Sequence, residues 1–295
     1  GGEAVKQIRS RYDQESEATR DDVRLFVIFL DDYHVRLGNS MRVREPLSQW
    51  VANQLGPLDM VAIMYPLTPV ADLGFTRDHQ AVISAIRRFE GRKYDYHPRN
   101  AFEEQYAMYP AQAVETVRNQ VTISALEGLS VKLGAMREGR KAVIFVSEGF
   151  TALLPPQMRD PNAQYPGLGN PNRNNPFAGE NPLEDRNRFF EEADLQSLMR
   201  DVYDAANRNN TAIYALDPRG LAPSEFDISE NVGTRVDGET LRQSMDTLRV
   251  LADQTDGRAI VNQNDLERGL KQVIRDTSSY YLVGYSSTAP TDGKF

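Results

Sequence analysis

Residues 25–34 read LFVIFLDDYH: six apolar residues in a row, then two aspartates, a tyrosine and a histidine. Unbroken apolarity over so short a run predicts a strand buried on both faces, because a half-exposed strand would alternate. Similar runs recur at 60–65 (MVAIMY), 142–146 (AVIFV) and 211–216 (TAIYAL), with weaker ones at 70–75 and 259–261. Between them the apolar spacing changes to three or four, as in a helix. Val114, Val117, Val121, Ala125, Leu129, Leu133 and Met136 make one such series, stopping near Gly139. Val82, Ile83, Ile86 and Phe89 make another, with Thr76 as its expected cap and Gly91 as its expected end. Leu47, Trp50, Val51 and Leu55 follow Pro46, while Leu241, Met245, Leu248 and Leu251 close at Asp256-Gly257. Asn264 with Glu267 predicts a capping box ahead of Leu266, Leu270, Val273 and Ile274. Strands alternating with helices predict an α/β fold, a doubly wound and mostly parallel sheet with helices on both faces.

The composition narrows the chemistry. The chain has 295 residues, 40% hydrophobic and 26% charged, enough to bury a sizeable core. Lys and Arg number 34 against 42 Asp and Glu, a net charge of −8, which disfavours nucleic-acid binding. With no cysteine, disulfides, thiol nucleophiles and Cys-ligated metal centres are excluded. The three histidines are far apart in sequence. No apolar run approaches the roughly 18 residues of a membrane span. The opening Gly1-Gly2-Glu3-Ala4 lacks a basic-then-apolar start, so no signal peptide is expected within this chain. The phosphate loop GxxxxGK(S/T), the dinucleotide GxGxxG after a strand, HExxH and GxSxG are all missing, so no organic cofactor is expected.

Three long stretches interrupt the alternation: 91–112, rich in Tyr and charge; 155–186, rich in Pro, Asn and Gly; and 221–239, polar. The latter two follow expected strands and so belong at the carboxyl edge of the sheet, where open α/β sheets bind ligands. Acidic residues gather after the same strands: Asp31-Asp32, Glu148 after Ser147, and Asp217. Such a group suits Mg²⁺ or Ca²⁺, which take oxygen ligands, and equally suits simple solvation of strand exits. His34 is a candidate ligand or a hydrogen-bonding loop residue. Trp50, on an apolar helical face, is expected in the core.

The order and wording of FVIFLDDYH, LGPLDMVAIMY, LGFTRDHQAVISAI and GRKAVIFVSEG resemble a von Willebrand factor type A (VWA) domain over roughly 23–277. More narrowly they are similar to bacterial VWA-related proteins in which DD-x-H replaces Asp-x-Ser-x-Ser. The resemblance implies a largely parallel sheet with one antiparallel edge strand, and a protein-binding role at a divalent-metal site on the carboxyl edge. Asp31 matches the motif's Asp, but Tyr33 and Val35 stand where its serines should be. Glu148 before Gly149 matches the later Asp. The family's Thr has no clear counterpart; Thr116 and Thr122 are the candidates, inside a helical pattern. The metal site is therefore expected in degenerate form, built from Asp31, Asp32 and Glu148. An extracytoplasmic location is also implied.

On this basis residues 1–22 are an extension, 23–277 the VWA-like domain, and 278–295 a strand-like segment. SYYLVGY at 279–285 is expected to pair with a sheet, as the start of a truncated β module or as a homo-oligomer contact. The leading expectation is a non-enzymatic protein-interaction module, with Tyr33, His34, Tyr94, Tyr96, His97, Tyr106, Tyr109 and Arg219 as candidate partner-binding residues. The alternatives are a metal-dependent phosphate-ester hydrolase using Asp31, and a structural assembly subunit.

Overall fold

The computed structural model describes residue 8, residues 10–152, residues 154, 155 and 158, and residues 182–278, with side chains of the last stretch from 190. The expected strand at 279–285 and most of the 155–186 insertion lie outside the described residues. Five strands form one parallel sheet in the order β2-β1-β3-β4-β5. They are β1 (Leu25–Leu30), β2 (Met60–Met64), β3 (Lys141–Val146), β4 (Thr211–Leu216) and β5 (Ala259–Ile260). All six residues of β1, β3 and β4 are buried, as the apolar runs 25–30, 142–146 and 212–216 require, and the polar Lys141 and Thr211 that open β3 and β4 are buried with them.

Alternate residues of β1 feed two cores. Val27 and Phe29 face α5 (Ala111–Met136), α6 (Pro182–Arg208) and α7 (Thr234–Gln254). Phe26, Ile28 and Leu30 face α2 (Leu37–Gln54), α3 (His79–Ile86) and α8 (Leu266–Ser278). Trp50 sits in the second core, edge-on to Phe26 at 5.5 Å, and its indole N–H donates to Leu270 O at 2.9 Å. The doubly wound α/β architecture is thus as the sequence predicts. The short α1 (Arg11–Ala18) also joins the body: Ala18 enters the first core, and Gln14 Oε1 accepts from Phe75 N at 3.0 Å.

Several local expectations are corrected. Residues 70–75 are not a strand; Val70–Asp72 forms a 3₁₀ turn, and the antiparallel edge is a single bridge between Val61 and Thr76. Asp78, not Thr76, caps α3, accepting from Ala81 N at 3.0 Å. Helix α2 begins at Leu37, so Pro46 lies inside it rather than near its start. Asp265 rather than Asn264 accepts from the first turn of α8, and Asn264 instead takes Leu221 N at 3.0 Å. Helix α7 starts at Thr234, shortening the 221–239 loop. Within 91–112 a four-residue helix, α4 (Ala101–Glu104), precedes α5.

Candidate functional site at the carboxyl edge

The chain runs from β1 outward to β2, then returns to place β3 on the other side of β1. The crevice beyond the carboxyl ends of β1 and β3 is therefore the topological switch point, where open α/β sheets bind ligands. Asp31 leaves β1 there, and Ser147 and Glu148 leave β3 beside it. Asp31 N donates to Val146 O at 3.0 Å, and Glu148 N to His34 O at 3.1 Å, so the two strand exits are stitched together.

Asp31 is fully buried and its carboxylate is a hub. It accepts from Ser147 Oγ at 2.7 Å and from His34 N at 3.3 Å, and His34 Nδ1 lies 2.9 Å from both oxygens. Thr122 Oγ1, on α5, reaches Oδ1 at 3.5 Å. Of the two threonines open in the sequence, Thr122 therefore meets the aspartate, while Thr116 Oγ1 turns back to Gln112 O. A carboxylate facing Nδ1 holds the His34 proton there. Nε2 points away, under an edge-on contact with Phe150, and has no hydrogen-bond partner among the described residues.

Asp32 turns outward and accepts from Arg92 Nε at 2.8 Å. Burial pushes its carboxyl up, and the Asp31 charge adds to that, against the pull of Arg92. Glu148 is buried with both oxygens engaged. Oε1 accepts from Arg36 N and Asn39 Nδ2, each at 2.8 Å, and Oε2 faces Lys93 Nζ at 3.3 Å. The expected metal trio is thus on one edge but not in one cage. Asp31, Asp32 and Glu148 each point at different N–H and O–H donors, which present hydrogens where a cation needs open lone pairs. Among the described residues no three His, Asp or Glu side chains gather as metal ligands do. The residues present do not fit Mg²⁺ or Ca²⁺.

A second layer comes from the loop after β4. Arg219 grips Asp217 through Nε at 2.9 Å and Nη2 at 2.8 Å, gives Nη1 to Glu225 at 2.5 Å, and gives Nη2 to Glu148 O at 2.7 Å. Glu225 also takes Lys93 Nζ at 2.5 Å and Tyr94 Oη at 2.9 Å. Burial would raise the Glu225 carboxyl, but Lys93 and Arg219 more than offset that and hold it down at about 2. Tyr94 adopts a left-handed φ of 66° to reach this position and stacks on Phe226 at 5.6 Å. The Arg36 guanidinium lies over the Tyr94 ring at 4.8 Å.

Of the candidate partner-binding residues, Tyr33, His34, Tyr106 and Arg219 are buried, which corrects their assignment to a contact surface. The Tyr33 ring is clamped between Arg92 at 4.6 Å and Arg118 at 4.9 Å, and its hydroxyl donates to Glu103 at 3.0 Å. Tyr94 and Tyr96 are half-buried loop anchors. His97 and Tyr109 alone of the eight remain exposed.

Several large apolar side chains also lie open around the same edge. Leu37 and Met41 on the first turns of α2, Leu67 after β2, and Leu221 and Ile228 after β4 are all exposed. The insert 101–110 adds Phe102, Met108 and Tyr109, and is pinned to the edge through Glu103. Ile228 and Met108 are 96% and 95% exposed. Sequence reasoning offered Tyr109 but missed the aliphatic members of this rim, as well as Lys93 and Glu225, because isolated loop hydrophobics and loop charges carry no periodic signal.

A separate groove of about 420 Å³ lies on the flank, lined by Phe150, Leu195, Met199, Tyr203, Thr247 and Val250. Among the described residues, no helix is long and apolar enough to cross a membrane.

No family model matches the chain, and no curated protein matches it. Among solved structures it is similar to the crystal structure of an aerotolerance-related membrane protein from Bacteroides fragilis NCTC 9343 with multiple mutations to serines. The two share 10% identity at a TM-score of 0.41, over 86% of this chain and 97% of that one.

Proposed function

We propose that the chain is a non-enzymatic protein-interaction module that docks a partner protein on the apolar rim of its carboxyl edge. The observation that carries this is a division of labour at that edge. The charged groups inside it, Asp31 with His34, Asp32 with Arg92, Glu148 and Glu225 with Lys93, and Asp217 and Glu225 with Arg219, are paired with one another, and large hydrophobics stand exposed around it. Leu37, Met41, Leu67, Phe102, Met108, Tyr109, Leu221 and Ile228 come from separate connections yet converge on one end of the sheet. Exposed apolar groups grouped in this way mark contact surfaces, and their burial drives association. An extracytoplasmic setting belongs to this reading through the VWA resemblance.

The test is capture of a partner from the source cells by the wild-type chain and by the double variant Met108→Asp/Ile228→Asp. A partner held by the wild type and by Val131→Asp, an exposed site on α5 away from the rim, but lost by the double variant supports the reading. Equal retention by all three places the contact elsewhere. Concentration-dependent mass of the isolated chain, abolished by the same double variant, would instead make the partner a second copy.

A further inference from the structure

Asp31, Glu148, Asp217 and Glu225 bring four buried carboxylates to one edge of the sheet. A buried carboxylate must be hydrogen-bonded and countered by a positive charge, which either a bound metal ion or the protein's own cations can supply. Here the protein supplies it. Lys93 Nζ, itself 1% exposed, stands 2.5 Å from Glu225 Oε1 and 3.3 Å from Glu148 Oε2, bridging the loop after β4 to the exit of β3. Glu148 Oε1 is already occupied by Arg36 N and Asn39, so Oε2 is the oxygen left to meet a cation, and it meets Lys93.

The backbone delivers that ammonium. Arg92 N donates to Asp32 O at 2.8 Å and Lys93 N to Val35 O at 3.0 Å, lacing the loop onto the residues that leave β1. The lacing needs Gly91, since a Cβ there would come 2.2 Å from Val35 O. A cation on a fixed tether competes with free ions at high effective concentration.

We propose that Lys93 is a tethered counter-cation occupying the place at Glu148 and Glu225 that a divalent ion would otherwise take, so that the carboxyl edge is assembled without metal and becomes a cation site when Lys93 is withdrawn. The proposal is independent of what docks on the rim: rim variants test the partner, and metal titration tests Lys93.

The experiment uses the full chain, stripped with chelator, and titrates Mn²⁺, Mg²⁺ and Ca²⁺ by calorimetry alongside thermal unfolding. The wild type is expected to show no saturable binding up to millimolar metal and the same midpoint in chelator and in metal. Lys93→Met is expected to unfold at least about 5 °C lower in chelator, since a buried charge pair has lost its cation. Mn²⁺ or Ca²⁺ should restore much of that loss, with binding at least about tenfold tighter than to the wild type. Lys93→Met/Glu225→Gln, which removes the two charges together, should unfold above Lys93→Met and ignore metal, and it serves if the single variant does not fold. Saturable wild-type binding lost in Asp31→Ala, a Lys93→Met midpoint that metal does not move, or a double variant no more stable than the single one would each overturn the proposal.

Discussion

The hydroxyl of Ser147 donates to Oδ2 of Asp31 across 2.7 Å, on the side of the His34 imidazole that faces the carboxylate. A nucleophilic serine needs the histidine between itself and the acid, so that the imidazole takes its proton. Here the carboxylate is in the middle, and the far nitrogen of His34 has no hydrogen-bond partner among the described residues. Asp31 is equally ill placed as a nucleophile, being fully buried with both oxygens accepting hydrogen bonds. We expect no turnover of a phosphomonoester panel above the Asp31→Asn background, with or without Mg²⁺. Activity that scales with protein and disappears in Asp31→Asn would return the hydrolase reading. As a structural hub, Asp31→Ala should lower stability by about 2–3 kcal/mol, the worth of hydrogen bonds to a charged acceptor. Urea unfolding followed by the single tryptophan, Trp50, measures it.

Gly91 and Gly74 make a matched pair for the loop that carries Lys93. A Cβ on Gly91 meets Val35 O at 2.2 Å and Val35 C at 2.7 Å, both backbone atoms that cannot swing aside. A Cβ on Gly74 meets nothing within 4 Å. Gly91→Ala should therefore destabilise by about 2–3 kcal/mol, while Gly74→Ala should stay within about 0.5 kcal/mol of wild type. Equal midpoints for the two variants would mean that the 91–95 loop is not held as described.

The sheet was legible in the sequence because a doubly buried strand leaves an apolar run that little else produces, and β1 to β4 fall within a residue of the expected runs. The run at 70–75 is not a strand because Pro69 ahead of it and Asp72 within it favour a turn, and an apolar run broken by Asp72 and Gly74 carries little weight. Pro46 was placed near a helix start by its usual preference, but packing of Val43, Leu47 and Trp50 carries α2 through it. At the site, Asp31 and Glu148 were legible because strand exits are local features. Their fate was not. Lys93 lies 55 residues from Glu148 and 132 from Glu225, and only the return of the 91–95 loop onto Val35 brings them together. Likewise the burial of Tyr33 between two arginines depends on Arg92 and Arg118, which no spacing rule links.

Acid should weaken the edge in a defined window. Burial alone would raise Glu225 above its ordinary value of 4.5, yet Lys93 and Arg219 hold it at about 2. Glu103 is likewise held at about 2, burial being outweighed by Arg92 and Arg99 N. A carboxyl depressed on folding contributes stability that is fully present above its unfolded value and is lost as pH falls through the folded one. Unfolding free energy should therefore drop between about pH 4.5 and pH 2. Glu225→Gln should lower stability at neutral pH, because Lys93 and Arg219 lose their partner, and should flatten the acid limb. Parallel acid limbs in the two proteins would deny Glu225 its part.

Arg36 joins the buried ionic layer to the exposed rim. Its guanidinium lies over Tyr94 at 4.8 Å and Phe226 at 5.9 Å, and Nη2 meets Glu230 at 3.0 Å, so one side chain holds both ends of the segment that presents Ile228. The ion pair is partly exposed and worth little alone. The cation's place over two rings is the larger part, and a compact ammonium on a flexible stem reproduces it poorly. Arg36→Ala should cost about 1–2 kcal/mol. Its clearer effect should be local, with faster amide exchange across 221–231 and around Tyr94 but not in β1 or β3. Arg36→Lys should restore the charge but not the protection. If the two variants exchange alike with wild type, the loop is held by Asp237 instead, whose Oδ1 accepts from Glu225 N at 2.7 Å and Phe226 N at 2.9 Å. If protection is lost and partner capture falls with it while the core stays intact, the order of this loop, and not only its apolar side chain, is what the rim offers to its partner.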